Sequence, residues 1–196
     1  TDHTRQPRSY YDVDTIVSQI RQAVDNDDKI DYISLAGSGE PTLNSQIGVL
    51  IDRIKTEIDL PLAVLTNGAL LGNPAIREAL APADVVLPSL DAGTPDTFRR
   101  ICRPCEGLSF TQVVEGIISF SRQFGGEVWL EVMLLEGINT GPDELGELSR
   151  QARIIQPKMV QLNTVVRPPA ERNVRAVPPG RIRELVGMFD TPVETI

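Results

Sequence analysis

The sequence LAGSGEPTLN, residues 35–44, lies between an apolar segment and an amphipathic one. Residues 30–36 are predicted to form a buried strand, and apolar residues recur at helical spacing from Ile47 to Ile58. A strand that passes through a turn into a helix is the repeating unit of parallel α/β sheets. The stretch therefore predicts a β/α fold, with the unusual pair Glu40-Pro41 just beyond the carboxyl end of a strand.

The same alternation continues along the whole chain. Apolar runs predict strands at 30–36, 60–65, 84–90, 127–135 and 158–163, with a sixth in residues 192–196. Helical spacing predicts helices at 13–24, 44–58, 74–81, 109–123, 142–155 and 179–189, and Thr94 before Pro95 predicts one more. Asp12 and Asn44 are the expected starts of the first two helices. Near-continuous apolar strands indicate a parallel sheet covered on both faces.

Composition limits the kinds of protein that this chain can be. A length of 196 residues, 41% hydrophobic and 23% charged, is typical of one soluble domain, which we expect over residues 1–196. The net charge of −8 argues against a nucleic-acid surface driven by overall charge, although it leaves room for a local basic patch. No apolar run reaches the ~18–20 residues of a membrane span. Two cysteines exclude a disulfide framework and favour a cytoplasmic protein.

Polar residues gather where the predicted strands end, and parallel β/α folds bind ligands at that edge. Turn preferences explain any one of them equally well, but the set predicts a ligand site. The glycines form neither a P-loop, which needs Gly-Lys-Ser/Thr, nor a dinucleotide fingerprint, which needs a third glycine at Thr42. We expect them to let backbone groups approach a ligand closely. The candidate residues are Gly37, Ser38, Gly39, Glu40, Pro41, Thr66, Asn67, Ser89, Asp91, Glu131 and Asn163.

Five segments in this order resemble the radical S-adenosylmethionine (SAM) superfamily: YISLAGSGEPTLN, LAVLTNGALL, VVLPSLDAGTPDTFRRICRP, VWLEVMLLEGIN and VQLNTVVRPPAE. They are most similar to the iron–sulfur oxidoreductase branch related to wybutosine-synthesis enzymes. The resemblance implies an α/β fold that is a partial TIM barrel of parallel β/α units. Since the first helix has no strand before it and the chain begins without Met, we expect an N-terminally truncated chain that lacks its first strand.

The resemblance also assigns roles to the candidate residues. Ser38-Gly39-Glu40-Pro41 matches a Gly-Gly-Glu-Pro motif that receives the amino group of SAM, with serine at its first position. The remaining matches put Ser89 and Asp91 at the ribose, Glu131 at the ribose and carboxylate, Asn163 beside the adenine, and Thr66 and Asn67 at the cofactor rim.

A [4Fe–4S] cluster is the second cofactor that the resemblance implies, reduced by a donor such as a flavodoxin or ferredoxin. The family holds it with a C-x3-C-x2-C motif, which is absent from this sequence and expected upstream of Thr1. Cys102 and Cys105 form a single C-x2-C pair, too few ligands for a cluster or zinc, so we expect free thiols and no metal ligands in this chain. Six arginines, at 99, 100, 103, 167, 172 and 175, either face an anionic substrate or are solvated.

Two functions follow from these observations. In the first, the full-length protein cleaves SAM reductively to a 5′-deoxyadenosyl radical and acts on RNA, a protein or another substrate, while this chain alone is inactive. In the second, the chain is a cluster-free binding module or degenerate scaffold that holds a nucleoside-like ligand.

Overall fold

The computed structural model describes residues 4, 6–27, 29–37, 39–166, 171 and 173–196. In this part of the chain seven α-helices and six strands alternate, except that two helices follow one another between the third and fourth strands. The strands are β1 (Ile33–Leu35), β2 (Leu62–Thr66), β3 (Val85–Pro88), β4 (Glu127–Leu134), β5 (Met159–Thr164) and β6 (Val193–Thr195). The helices are α1 (Val13–Asn26), α2 (Ile47–Glu57), α3 (Pro74–Leu80), α4 (Pro95–Cys102), α5 (Phe110–Gln123), α6 (Pro142–Ile155) and α7 (Pro179–Val186). The predicted α/β fold with parallel strands is confirmed.

The six strands form one sheet in the order β1-β2-β3-β4-β5-β6, and all neighbours are parallel. Because crossovers between parallel strands are right-handed, a strictly sequential order places the connecting helices on the same side of the sheet. This is the order of a barrel wall, whereas a doubly wound sheet reverses its order at the middle. The carboxyl ends of all six strands therefore meet at one edge.

The burial pattern of β4 shows the two faces of this wall. Val128, Leu130, Val132 and Leu134 are buried in the main core against the helices. The alternate side chains, from Glu127 onward, are exposed or only partly buried. The prediction that both faces are covered is thus met only in part for β4, whose second face carries the exposed Glu127 and the partly buried Trp129, Glu131 and Met133. It holds for β3, where all four residues are buried.

Side-chain caps fix where most helices begin. The Asp12 carboxylate accepts from the Thr15 amide at 2.9 Å, and Thr94 caps α4 in the same manner, as the sequence predicts. Asn44 does not begin α2, because a 3₁₀ turn at Pro41–Leu43 comes first and Asn44 ends it. None of the described helices is both long and apolar enough to cross a membrane.

Candidate functional site

Two cavities open at the carboxyl edge of the sheet, and most of the predicted site residues line one or the other. The smaller, about 400 Å³, lies over the ends of β1 and β2; Gly37, Gly39, Glu40, Pro41, Thr66, Asn67 and Ser89 line it. The larger, about 790 Å³, lies over β4 and β5 and includes Glu131 and Asn163. Ser38 lies outside the described residues. The sequence therefore predicted residues that the fold brings to one edge of the sheet, where some line the smaller cavity and others the larger one.

Glu40 is the centre of the smaller cavity. Its Oε1 accepts hydrogen bonds from the Thr42 amide at 3.1 Å, the Thr42 hydroxyl at 2.7 Å and the Thr66 hydroxyl at 2.6 Å. Its Oε2 accepts from the Asn67 amide at 2.7 Å. Four protein donors occupy this carboxylate, so it ties the loop after β1 to the end of β2. These four hydrogen bonds hold the loop in shape.

Gly39 is a glycine that the protein itself does not require. Its φ angle is not in the left-handed region, and a Cβ built at this position would meet no atom within 4 Å. Gly141 and Gly146 share these two properties, and what distinguishes Gly39 is that it lines the smaller cavity. A ligand in that cavity could approach the Gly39 backbone closely.

Three predicted residues form a hydrogen-bonded chain across three strands. The Ser89 hydroxyl donates to Glu131 Oε2 at 2.8 Å, and the Asn163 Nδ2 donates to Glu131 Oε1 at 2.6 Å. Because a carboxylate only accepts, the amide nitrogen of Asn163 must face it, and Asn163 Oδ1 is left buried with no partner among the described residues. An unpaired buried acceptor costs about 1–3 kcal/mol, so this atom is suited to accept a donor from a ligand.

Asp91 is engaged by the end of β4. Its Oδ1 accepts from the Met133 amide at 2.8 Å, and it lies near Glu131. Burial raises the pKa of Asp91 from 3.8 to about 6, the charge of Glu131 adds to the rise, and the hydrogen bond from Met133 opposes it. Unlike the other described site residues, Asp91 does not line either cavity. A carboxyl group that titrates near neutral pH thus lies just behind the site.

Sequence reasoning missed two buried residues that support these loops. Asn139 is fully buried and donates to the Asp91 and Met133 carbonyls, both at 2.8 Å, while its Oδ1 accepts from the Leu135 amide. It therefore joins the β3 loop to the end of β4. Its only sequence signal is its place within the quoted segment VWLEVMLLEGIN.

Glu144, the second of these residues, lies in the first turn of α6 and is 9% exposed. It accepts from the Gly93 amide at 2.5 Å, the Thr94 amide at 3.2 Å and the Thr94 hydroxyl at 3.0 Å. An acid in a first turn ordinarily complements the helix dipole, so the sequence offers no sign that this one holds the β3–α4 loop.

The six arginines and two cysteines named in the sequence analysis lie in different surroundings. Arg100 and Arg103 line the larger cavity, Arg99 pairs with Asp96 on α4, and Arg167 and Arg172 lie outside the described residues. Arg175 is exposed and lines neither cavity. Both cysteines are free.

The Cys102 thiol is a weak candidate for a metal ligand. Desolvation and the charge of Asp91 raise its pKa to about 12, while part of the side chain is exposed to solvent. No cluster of three or more His, Cys, Asp or Glu side chains in the described part of the chain is arranged to hold a metal ion.

Curated relatives match most of this chain but only part of their own length. A protein from Brachyspira hyodysenteriae named GTPase Obg is 43% identical over 169 residues, which cover 86% of this chain and 25% of that protein. An UPF0026 protein from Synechocystis sp. is 37% identical over 148 residues, covering 74% of this chain and 55% of that protein. The sequence has no Gly-Lys-Ser/Thr loop, so the nucleotide-binding part that the first name implies has no counterpart in it.

Comparisons with solved structures and with family models agree on the fold. SuiB from Streptococcus suis, bound to S-adenosylmethionine, superposes with a TM-score of 0.73 at 15% identity, covering 98% of this chain and 45% of that one. The model of the Radical SAM superfamily matches residues 1–148. With its parallel β/α wall and its polar carboxyl edge, the chain belongs to the radical SAM superfamily.

Proposed function

We propose that this chain is the SAM-binding unit of a radical SAM enzyme, and that SAM occupies the two cavities at the carboxyl edge together. Membership of the superfamily supports SAM as the ligand. The observation that carries the assignment to these residues is Gly39, because it lines the smaller cavity and a Cβ built there would meet no protein atom within 4 Å. The smaller cavity would take the methionyl end and the larger one the adenosine.

The chemistry of the donor set fits this ligand. The ammonium group of SAM needs acceptors. Because the Glu40 carboxylate is occupied by four protein donors and the Glu40 carbonyl accepts from the Leu43 amide, the proposed acceptor is the Gly39 carbonyl. The adenine amino group needs an acceptor, and Asn163 Oδ1 is one without a partner among the described residues. Glu131, held by Ser89 and Asn163, would orient the ribose.

When bound, SAM would supply a 5′-deoxyadenosyl radical, with methionine as the leaving group and one electron consumed, and a [4Fe–4S] cluster is the proposed source of that electron. The described residues do not fit a cluster: they contain no suitable group of ligands, and the sequence has two cysteines where three thiolates are expected. We therefore propose that the cluster ligands come from outside these 196 residues, and that a ferredoxin-like or flavodoxin-like donor reduces it. The work of the described residues is to bind and orient the cofactor.

Gly39→Ala separates cofactor binding from stability. We expect its free energy of unfolding to stay within about 0.5 kcal/mol of the wild type, as for a surface change. Calorimetric affinity for S-adenosylhomocysteine should fall about tenfold or more, because the methyl group fills the space of a close backbone contact. Gly146→Ala in α6 is the matched control: its Cβ also meets nothing, so it should gain about 1 kcal/mol of stability and keep its affinity. If Gly39→Ala and Gly146→Ala bind S-adenosylhomocysteine equally well, the loop at Gly39 does not contact the ligand.

The reaction is tested in a longer natural protein that contains this chain. Reconstituted with iron and sulfide and reduced, it should convert SAM to 5′-deoxyadenosine and methionine, and Gly39→Ala should raise the SAM concentration needed for half-maximal conversion about tenfold or more. SAM that binds at the loop but is never cleaved, in a protein carrying its cluster, would favour a binding module in place of an enzyme.

A further inference from the structure

The larger cavity has a cationic wall that the cofactor proposal does not use. Arg100 and Arg103 line it from the C-terminal end of α4, and Glu131 and Asn163 line it from the sheet. Much of the surface between them is apolar, contributed by Ile101, Met133, Leu135, Ile138, Val165, Val166 and Val174. Glu131 and Glu171 line the same cavity, so its formal side-chain charges balance, and both positive charges come from the end of α4.

The backbone at Arg103 is unusual for this residue. Its φ and ψ are 44° and 58°, the left-handed conformation that ends α4. Glycine or asparagine normally takes such a position, because other side chains cost about 1–2 kcal/mol there. Gln156 ends α6 in the same conformation and lines neither cavity, so what distinguishes Arg103 is that its turn places the arginine at the cavity wall.

Neither guanidinium group is held firmly by another side chain of the described residues. Arg103 Nη1 lies 2.9 Å from Glu171 Oε1, and both side chains are more than half exposed, 57% and 58%. Exposed ion pairs of this kind contribute little to stability, so an anion could replace Glu171 at small cost. Arg100 makes no ion pair with any residue that the structure describes. Arg99, one position earlier, is paired with Asp96 and does not line the cavity.

We propose that Arg100 and Arg103 bind an anionic group of the substrate, a phosphate or a carboxylate, and that Glu171 occupies Arg103 until the substrate arrives. The inference rests on the proposed function, because it places the substrate beside the cofactor in the same cavity. Guanidinium forks match the geometry of both oxyanions. The apolar wall adds a second requirement, so the substrate carries an apolar body next to its anionic end.

The test uses small probes that share one apolar body: phenyl phosphate, benzoate and the neutral benzyl alcohol. Dissociation constants are measured by ligand-observed NMR on the intact chain at constant ionic strength. We expect at least one anionic probe to bind about tenfold or more tightly than benzyl alcohol, since each charged hydrogen bond contributes that much. Preference for phenyl phosphate identifies a phosphate, and preference for benzoate identifies a carboxylate.

Five variants, four single and one double, give results of different sign. Arg100→Gln and Arg103→Gln together should remove the preference for the anion, and each alone should remove part of it. Arg99→Gln, which removes the same charge from the same helix, should bind as the wild type does. Glu171→Gln should bind the anion about two- to fivefold more tightly, because it frees Arg103 from an exposed pair.

Two outcomes overturn the inference. If Arg99→Gln, Arg100→Gln and Arg103→Gln lose the same affinity for the anion, only the overall charge of the chain matters. If Glu171→Gln binds the anion no more tightly than the wild type does, the substrate does not replace Glu171 at Arg103. The proposed function fails separately. If Gly39→Ala leaves S-adenosylhomocysteine binding intact while the arginine variants behave as expected, the cofactor assignment is wrong and the anion site stands.

Discussion

Replacing Glu40 by glutamine tests how the smaller cavity is held in shape. Glutamine has one acceptor oxygen where glutamate has two, and its NH2 group only donates. In one amide orientation the NH2 group faces the Asn67 amide, and in the other it faces the Thr42 amide, so at least one bond is lost either way. A hydrogen bond to a charged group contributes about 1.5–3 kcal/mol, and we expect the free energy of unfolding to fall by roughly that amount.

For a chain of this size the loss corresponds to a decrease in Tm of roughly 3–12 °C. Urea unfolding at pH 7, followed by circular dichroism, measures it. Asp96→Asn is the control, since it removes an exposed ion pair with Arg99 and should change stability by at most about 0.5–1 kcal/mol. Thr66→Ser keeps the hydroxyl that donates to Glu40 and should be nearly silent, whereas Thr66→Val should not. If Glu40→Gln unfolds at the wild-type urea concentration, the carboxylate does not tie the loop to β2.

Three more predictions concern the β3 side of the site. The pKa of Asp91 rises from 3.8 unfolded to about 6 folded, so wild-type stability should fall by roughly 3 kcal/mol as pH rises through that interval, and Asp91→Asn should flatten this slope in unfolding curves. Asn139→Ala should lower the unfolding free energy by about 2–4 kcal/mol, because it leaves buried backbone groups unpaired. Asn139→Asp should also have a lower unfolding free energy than the wild type. Gly93→Ala should lower Tm, since its Cβ would lie 2.6 Å from the Glu144 carbonyl oxygen, and a neutral effect would contradict this packing.

The order of elements was predictable because each signal is local. Caps at Asp12 and Thr94 and apolar spacing depend on residues within one or two turns, and the structure confirms both caps. The start of α2 was missed because Pro41 opens a 3₁₀ turn that uses Asn44 to end itself. The candidate site was predictable as a set, since parallel strands bring their carboxyl ends together whatever the details of packing.

What the sequence did not reveal are contacts between residues far apart in the chain. The bond from Glu144 to Gly93 joins positions 51 residues apart, and that from Asn139 to Asp91 joins positions 48 apart. Nothing in the local composition of α6 marks Glu144 as the partner of a loop rather than of its own helix. The division of the site into two cavities is also a property of the assembled edge.

The two cavities are built by two carboxylates that span neighbouring β/α units. Glu40 joins the loop after β1 to β2, and Glu131 joins β3 to β5 through Ser89 and Asn163. In a sheet whose order follows the sequence, each carboxylate reaches only the adjacent strands, so each half of the site is set by its own units. Each carboxylate is also fixed by protein donors before any ligand arrives, which lowers the cost of ordering the site on binding. A cofactor that extends over both cavities would therefore meet a preformed surface at each of its ends. Arg100 and Arg103 would remain available to a substrate that binds beside the cofactor.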